Sequence, residues 1–415
     1  MIAPGLWRGQ LDLRDPDDIP PHPDHTGPET EFDFSPTPEG VLPFHFEVEY
    51  IDADTMAFTL INGEERIPVR KYQFTPNVEG EKGEIILYFP IYDTRIVAKV
   101  QAGVMEGYWY VDHRRNYRVP FKARLGEKYR FTNSPKDPDE NISGSWATTF
   151  STGTEEEYPA IGEFHQTGTQ LTGTFLTETG DYRYLDGSVS GEDIFLSSFN
   201  GATAYLFEAK IMSPDQIMGV FYSGTHFHTT WEAQRNQESY LKSPDQITRP
   251  AQSDPIEFAG RSITGDRIDF DEPPYQNKVK IIEIMGSWCP NCHDATEFLK
   301  SWKKDHADLP VEIISLAFER YEDEAKSLEV LDQYREENEI SWPIIYGGPL
   351  SKVQDSPFTG MVDEVKAYPT FIVVDAQNRI QYIHTGISGP ATSAYEAFKT
   401  KMDKVIQETI REAES

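Results

Sequence analysis

The sequence predicts two folds in one chain: a duplicated antiparallel all-β region on the N-terminal side and an α/β domain on the C-terminal side. Three observations carry that reading. Up to about residue 250, short apolar runs alternate with Gly, Asn and Asp turns, the pattern of a sandwich or barrel. The same short motifs recur there twice in the same order. After residue 255 the pattern becomes strand, helix, strand, helix. The expected boundaries are 1–125 for a first barrel- or sandwich-like β repeat, 143–238 for a second, and 255–415 for the α/β domain.

Size and composition fit this division. A chain of 415 residues suggests two to four domains at about 150 residues each. Its 38 basic and 69 acidic residues give a net charge of −31, which argues against nucleic acid or an anionic membrane as partner. Hydrophobic residues make up 38% and aromatics 13%, enough to build cores rather than a disordered chain. No apolar run is long enough for a transmembrane segment.

The duplication reads motif by motif. Gly5-Leu6-Trp7 opens the first half and Gly144-Ser145-Trp146 the second. Gly63-Glu64-Glu65-Arg66 matches Gly180-Asp181-Tyr182-Arg183. Gly83-Glu84 before an apolar strand matches Gly191-Glu192, and Ala98-Lys99 matches Ala209-Lys210. Gly107-Tyr108-Trp109-Tyr110 answers Gly219-Val220-Phe221-Tyr222, and each half closes on an aromatic residue, alanine and arginine, ending at Arg124 and Arg235. Trp7, Trp109, Trp146 and Trp231 are expected in the core. The opening Gly-x-Trp and closing arginine resemble calycin-type barrels such as lipocalins, which implies an arginine stacked over the first-strand tryptophan. The halves are short, so one shared barrel or sandwich is also open. Residues 14–40 read as a long loop, and 126–142 and 236–255 as linkers.

Two cysteines in the whole chain, three positions apart, point at chemistry rather than at a disulfide scaffold or a zinc site. Lys278 to Met285 is a buried-strand run. Gly286-Ser287-Trp288-Cys289-Pro290-Asn291-Cys292 follows, and Ala295, Phe298, Leu299 and Trp302 then recur at helical spacing. Cys289 thus falls at a helix N-terminus, where unpaired amides and the macrodipole stabilise a thiolate. Cys292 falls one turn later, within reach of a disulfide. Pro290 suits the first turn, where it sacrifices no helical hydrogen bond.

Trp-Cys-x-x-Cys after a buried strand resembles thioredoxin, and more closely the TlpA/ResA-like branch of exported thiol–disulfide oxidoreductases. The resemblance covers about residues 255–415. Ala367-Tyr368-Pro369-Thr370-Phe371 resembles that family's cis-proline segment, Asp375 to Arg379 its hairpin turn, and Ile380 to His384 the next strand. Ser315 to Phe318 and Trp342 to Tyr346 supply further strands, and Tyr395 to Ile410 a closing helix with one apolar face.

That resemblance implies roles by position. Cys289 attacks and Cys292 resolves; Pro369 lies against the sulfurs, and Tyr368 contacts the substrate backbone, with Trp288, Pro290 and Asn291 framing the site. Glu283 stands where thioredoxins carry a buried proton-relaying aspartate. Burial raises a carboxyl's pKa towards neutrality, which suits proton exchange with Cys292. The bland alternative for Glu283 is an edge carboxylate paired with Lys278 or Lys280.

Cys289 to His293 satisfies the C-x-x-C-H pattern for covalent haem, but a buried strand before it is the wrong setting. Gly286 and Ile282 occupy the positions where a peroxiredoxin needs its threonine and proline. His226 and His228 are two ligands and make no metal site. Glu155 to Glu157 read as a solvated face. The sequence therefore calls for no metal and no organic cofactor. It predicts a thiol–disulfide oxidoreductase acting on protein substrates with cysteines, direction of electron flow open with reductase favoured, and recharged by a membrane disulfide-exchange partner. The branch resembled implies the periplasm or envelope. Met1 to Arg8 carries neither a basic nor an apolar signal region, so either the start is cytosolic or a signal or lipid anchor has been removed. The alternative from another class is an envelope binding or adaptor protein whose β region recognises a partner.

Overall fold

A strand exposes alternate residues to opposite faces, so a sequence that alternates must bury one face and wet the other. The computed structural model, which describes residues 2–14, 37–76, 83–251 and 255–414, shows that alternation in strands such as Met56–Asn62, Gly83–Phe89 and Leu185–Ser190, while Asp193–Phe199 is buried almost throughout. The chain divides into two units, 1–174 with 184–239, and 175–183 with 240–415.

In the first unit, β1 (Gly5–Asp12) lies between β2 (Val41–Tyr50) and β9 (Arg118–Leu125), Trp7 facing Phe46 on one side and Leu125 on the other. From β2 the sheet continues through β3 (Met56–Asn62) to β4 (Glu65–Val69). From β9 it runs through β8 (Val104–Val111), β7 (Thr94–Gln101) and β6 (Gly83–Phe89) to β5 (Lys71–Thr75). In β6 the buried set is Gly83, Ile85, Leu87 and Phe89, every second residue.

The second half repeats the plan. Strand β10 (Gly144–Phe150) sits between β11 (Tyr158–Thr167) and β17 (Phe227–Arg235). With β12 (Gln170–Thr177), β13 (Leu185–Ser190), β14 (Asp193–Phe199), β15 (Ala204–Ser213) and β16 (Gln216–Ser223) it forms a closed barrel. Each half therefore builds its own sheet rather than sharing one. The difference between them is one strand: β13 pairs with β14 and closes the ring, whereas β6 pairs with the additional β5, leaving β4 and β5 as edges. Both opening tryptophans are fully buried, and each indole N–H donates to the carbonyl four residues earlier, Trp7 to Ala3 at 3.0 Å and Trp146 to Ile142 at 2.9 Å. Arg235 lies 4.4 Å over the Trp146 ring. Its counterpart Arg124 is exposed, across the ladder from Arg8.

Residues 126–142 form no strand, as expected, but they are not a spacer. Arg130 and Phe131 are buried, and the Arg130 guanidinium donates to Ser197 Oγ (2.8 Å), Ser197 O (3.0 Å), Ile61 O (3.2 Å), Asn62 Oδ1 (3.3 Å) and Asp186 (3.0 Å). A buried cation is tolerated only when paired and hydrogen-bonded, and Arg130 meets both conditions. The long loop expected at 14–40 falls mostly on residues 15–36, outside the described ones.

In the second unit, β20 (Val279–Met285) is buried along its whole length, the mark of a strand covered on both faces. It pairs in parallel with β21 (Val311–Glu319), which pairs in parallel with β22 (Ile344–Pro349). On its other side it meets β23 (Thr370–Val374) antiparallel, followed by β24 (Ile380–Thr385). The third strand thus begins two residues later than the sequence suggests. A small hairpin of β18 (Ala259–Arg261) and β19 (Arg267–Asp269) precedes this sheet. Helix α1 (Pro290–Asp305) buries Ala295, Phe298, Leu299 and Trp302. Helix α2 (Glu324–Glu337) is capped by Asp323, whose carboxylate accepts the Ala325 and Lys326 amides. Helix α3 (Tyr395–Glu414) buries Phe398, Met402, Ile406 and Ile410. Residues Asp375 to Arg379 make the turn between β23 and β24, with Asn378 at φ 61°. Residues 240–251, expected as linker, are tied into this unit, Ala251 N–H donating to Met361 O at 3.0 Å.

Candidate redox site at the start of the first helix

Strand β20 ends at Met285, and the chain turns through Gly286 to Trp288 before α1 begins. Cys289 is the N-cap of α1 and Pro290 its first residue. The Cys292 amide, one of the helix's otherwise unpaired donors, points at Cys289 Sγ at 3.3 Å. Both cysteines are unbridged thiols. They differ in access: Cys289 keeps 6% of its surface and Cys292 none. Cys289 Sγ also donates to the Tyr368 carbonyl at 3.5 Å, and the Tyr368–Pro369 peptide is cis, so the proline segment does stand against the dithiol. The Tyr368 ring meets the Trp288 ring at 5.2 Å, edge to face. Its hydroxyl is buried with no hydrogen-bond partner among the described residues, and burial, then the Cys292 and Cys289 charges, pushes it up.

Glu283 lies on β20, across the ladder from Ser315 of β21 and Phe371 of β23, and is fully buried. Neither lysine expected to neutralise it does so. Lys278 pairs with Glu312, and Lys280 donates to Asn378. One carboxylate oxygen of Glu283 accepts from Ser315 Oγ at 2.7 Å, and that hydroxyl accepts from Trp342 Nε1 at 2.8 Å. The other oxygen has no partner among the described residues. Burial lifts Glu283 to about 7, against a lowering by the Ser315 bond. The Cys292 thiol is also held well above its ordinary value, by burial first, then by Cys289 and by the charge of Glu283.

Three further residues frame the site and were not read from the sequence. Glu319, the last residue of β21, accepts the Ser287 amide and the Ser287 hydroxyl, both at 2.8 Å. It thereby clamps the turn that delivers Cys289. Burial raises it to about 7 despite those two bonds. Arg320 lies 4.7 Å over the Trp288 ring, while the Trp288 indole donates to Phe318 O at 2.9 Å. Asp294 is the third, and pairs with Arg183. His293, the last residue of the C-x-x-C-H pattern, sets its ring 4.8 Å from Tyr334. Asn291 is half-buried.

Two buried carboxyls lifted from 4.5 to about 7 make stability depend on pH. Between those values the folded chain holds protons that the unfolded chain has released, so stability falls as pH rises. Buried His384, lowered to about 4, acts oppositely, adding stability as pH rises from about 4 to 6.5. Two carboxyls against one imidazole leave a net fall from about pH 4.5, steepest between 6.5 and 7, where the imidazole no longer titrates. We predict that the denaturant midpoint of the second unit drops between pH 5 and about 7 and levels off just above. The cost of ionising each buried carboxyl is on the order of 3 kcal/mol. Glu319→Gln should flatten that drop; an equally steep profile would show that Glu319 is not protonated in the folded chain.

Residues 257–398 match the Redoxin family model. Among solved structures, a putative thiol:disulfide interchange protein DsbE from Chlorobium tepidum is 14% identical, covering 38% of this chain and 96% of its own, with a TM-score of 0.30. A DsbF homologue from Corynebacterium diphtheriae is 20% identical over 40% of this chain and 96% of its own, TM-score 0.30. A secreted thiol-disulfide isomerase from Corynebacterium glutamicum is 16% identical over 41% and 96%, TM-score 0.31. No curated protein matches. The Redoxin match and the unbridged C-x-x-C at a helix start mark the second unit as a thioredoxin-like domain of the thiol–disulfide oxidoreductase kind. No helix among the described residues is long and apolar enough to cross a membrane, and no group of three metal-ligating side chains occurs among them.

Proposed function

We propose that the protein exchanges disulfides with cysteine-bearing protein substrates through Cys289 and Cys292, at the cell envelope, as the TlpA/ResA-like resemblance implies. The observation that carries the reading is the asymmetric dithiol: a reachable sulfur at the α1 N-terminus, receiving the Cys292 amide, and a fully buried second thiol behind it. In the reductive direction the Cys289 thiolate attacks a substrate disulfide. One substrate sulfur leaves as a thiolate and takes a proton, and a mixed disulfide remains on Cys289. Cys292 gives its proton to the Glu283 carboxylate and attacks Cys289 Sγ. The second substrate thiol is released, two electrons have passed to the substrate, and Cys289–Cys292 is oxidised. A membrane dithiol partner reverses that oxidation. In this reading Trp288, Pro290, Asn291 and Tyr368 form the substrate-facing rim, and Pro369 keeps the Tyr368 carbonyl beside Cys289.

The test is the reduction potential of the Cys289–Cys292 pair in the full chain, by thiol labelling across a graded glutathione or dithiothreitol buffer. A reversible two-electron titration is expected. A value near −270 mV, like that of thioredoxin, assigns a reductase, and one at or above about −180 mV an oxidase or isomerase. Absence of any reversible titration would remove the enzyme reading and leave a binding protein with an idle dithiol.

A further inference from the structure

Residues 175–183, which fall in sequence between the paired parts of β12 and β13, belong to the second unit. Their contacts converge on the start of α1. Arg183, held at φ 57°, donates to the Pro290 carbonyl at 2.9 Å and to the Asp294 carboxylate, in a pair whose side chains keep only 16% and 10% of their surface. Asp181 accepts the Gly389 amide at 2.6 Å and the Arg183 amide at 2.6 Å. Gly180 runs so close to Asn291 that a Cβ there would stand 2.2 Å from its amide nitrogen. Thr179 abuts Gly386 just as tightly, and the Gly386 amide donates to Pro369 O at 2.7 Å. The segment therefore touches the Pro-Asn turn directly and reaches the proline strand through Gly386. The turn itself is stiffened by Thr177, whose amide and hydroxyl both donate to Gly180 O.

The duplication supplies an internal comparison. The matching arginine of the first half, Arg66, is exposed at the start of β4 and donates to neighbouring carbonyls, Gly63 O at 2.8 Å and Glu65 O at 3.0 Å. The same motif is thus a plain hairpin in one copy and a brace on the C-x-x-C helix in the other.

We propose that residues 175–183 are a built-in brace on the dithiol, in which Arg183 is a positioning residue that pins the Pro290 carbonyl and offsets the Asp294 charge on the second turn of α1. The inference rests on the exchange reading above. Asp294 sits on the second turn of the helix whose N-terminus must carry a thiolate, and a negative charge there opposes the reduced, thiolate-bearing state. Arg183 cancels that opposition in a poorly solvated place, where charges act strongly.

The experiment is the redox titration of the full chain with four variants. Arg183→Gln should shift the exchange constant towards oxidised protein about tenfold, which for a two-electron couple is about 30 mV more reducing. Arg183→Gln combined with Asp294→Asn should return within about twofold of wild type, because the charge that needed offsetting is gone. Arg183→Lys should recover most of the shift, and Arg66→Gln should leave the potential where it was. A purely structural brace would lose stability in the first variant without this charge-dependent rescue. The proposal fails if Arg183→Gln titrates like wild type, or if the double variant stays as displaced as the single. Failure of the wild-type pair to titrate is a separate outcome and overturns the exchange reading together with this one.

Discussion

Cys289→Ser is expected to abolish disulfide exchange, lowering the rate by about three orders of magnitude or more, while Cys292→Ser should accumulate a stable mixed disulfide. The asymmetry follows from burial. Cys289 caps α1 and is the sulfur a substrate can reach, whereas Cys292 is fully enclosed beneath it. A serine hydroxyl stays protonated at neutral pH and cannot replace a thiolate as the attacking group. Without Cys292 the first step still proceeds but nothing displaces the substrate from Cys289. The check is incubation of each variant with a disulfide-bonded peptide, followed by acid quenching and non-reducing electrophoresis or mass analysis. An adduct on Cys292 in the Cys289→Ser chain would reverse the roles. No adduct on either variant would remove the dithiol from the chemistry.

How much of this was legible beforehand depends on whether an element announces itself locally. The apolar run Val279–Met285, Pro290 at the helix start and the Tyr368-Pro369 pair are local features, and the structure brings all of them together around Cys289. Glu283 was legible for the opposite reason: a carboxylate inside such a run contradicts its neighbours. Glu319 and Arg320 were not. Only the parallel register of β20 and β21, Met285 beside Ala317, returns the end of β21 to the Ser287 turn. Arg183 was read only as the repeat counterpart of Arg66, and nothing local distinguishes the copy that contacts α1. Arg130 misled in a third way. A charged residue among Gly, Pro and Asp scores as solvent-exposed loop, yet here its five donor contacts replace the water it loses. Strand β5 was missed as the element that keeps the first sheet from closing, since its alternation matches that of any other strand.

Glu283→Gln should slow the resolving step about 10²-fold at pH 7, the lower end of what a positioned proton acceptor contributes, and leave the first attack by Cys289 unchanged. Cys292 must lose a proton before it attacks, and burial holds that proton on the sulfur. Glu283 has a carboxylate oxygen with no partner among the described residues, and its value of about 7 makes it half ionised at neutral pH. The wild-type resolving rate should therefore climb as pH rises through about 7, when the carboxylate that accepts the proton becomes populated, and the Gln variant should lack that inflection. A second consequence has the opposite sign. The Glu283 charge itself opposes ionisation of Cys292, so removing it makes direct deprotonation by hydroxide easier. The two profiles should converge, and the variant overtake, above about pH 9, where hydroxide replaces the relay. Quenched-flow measurement of mixed-disulfide decay against pH reads both limbs separately from the attack step. Parallel profiles displaced by a constant factor would mean that Glu283 only supports the fold, through Ser315 and Trp342. A crossing is what a proton relay requires, because the same charge that receives the proton also resists the thiolate it leaves behind.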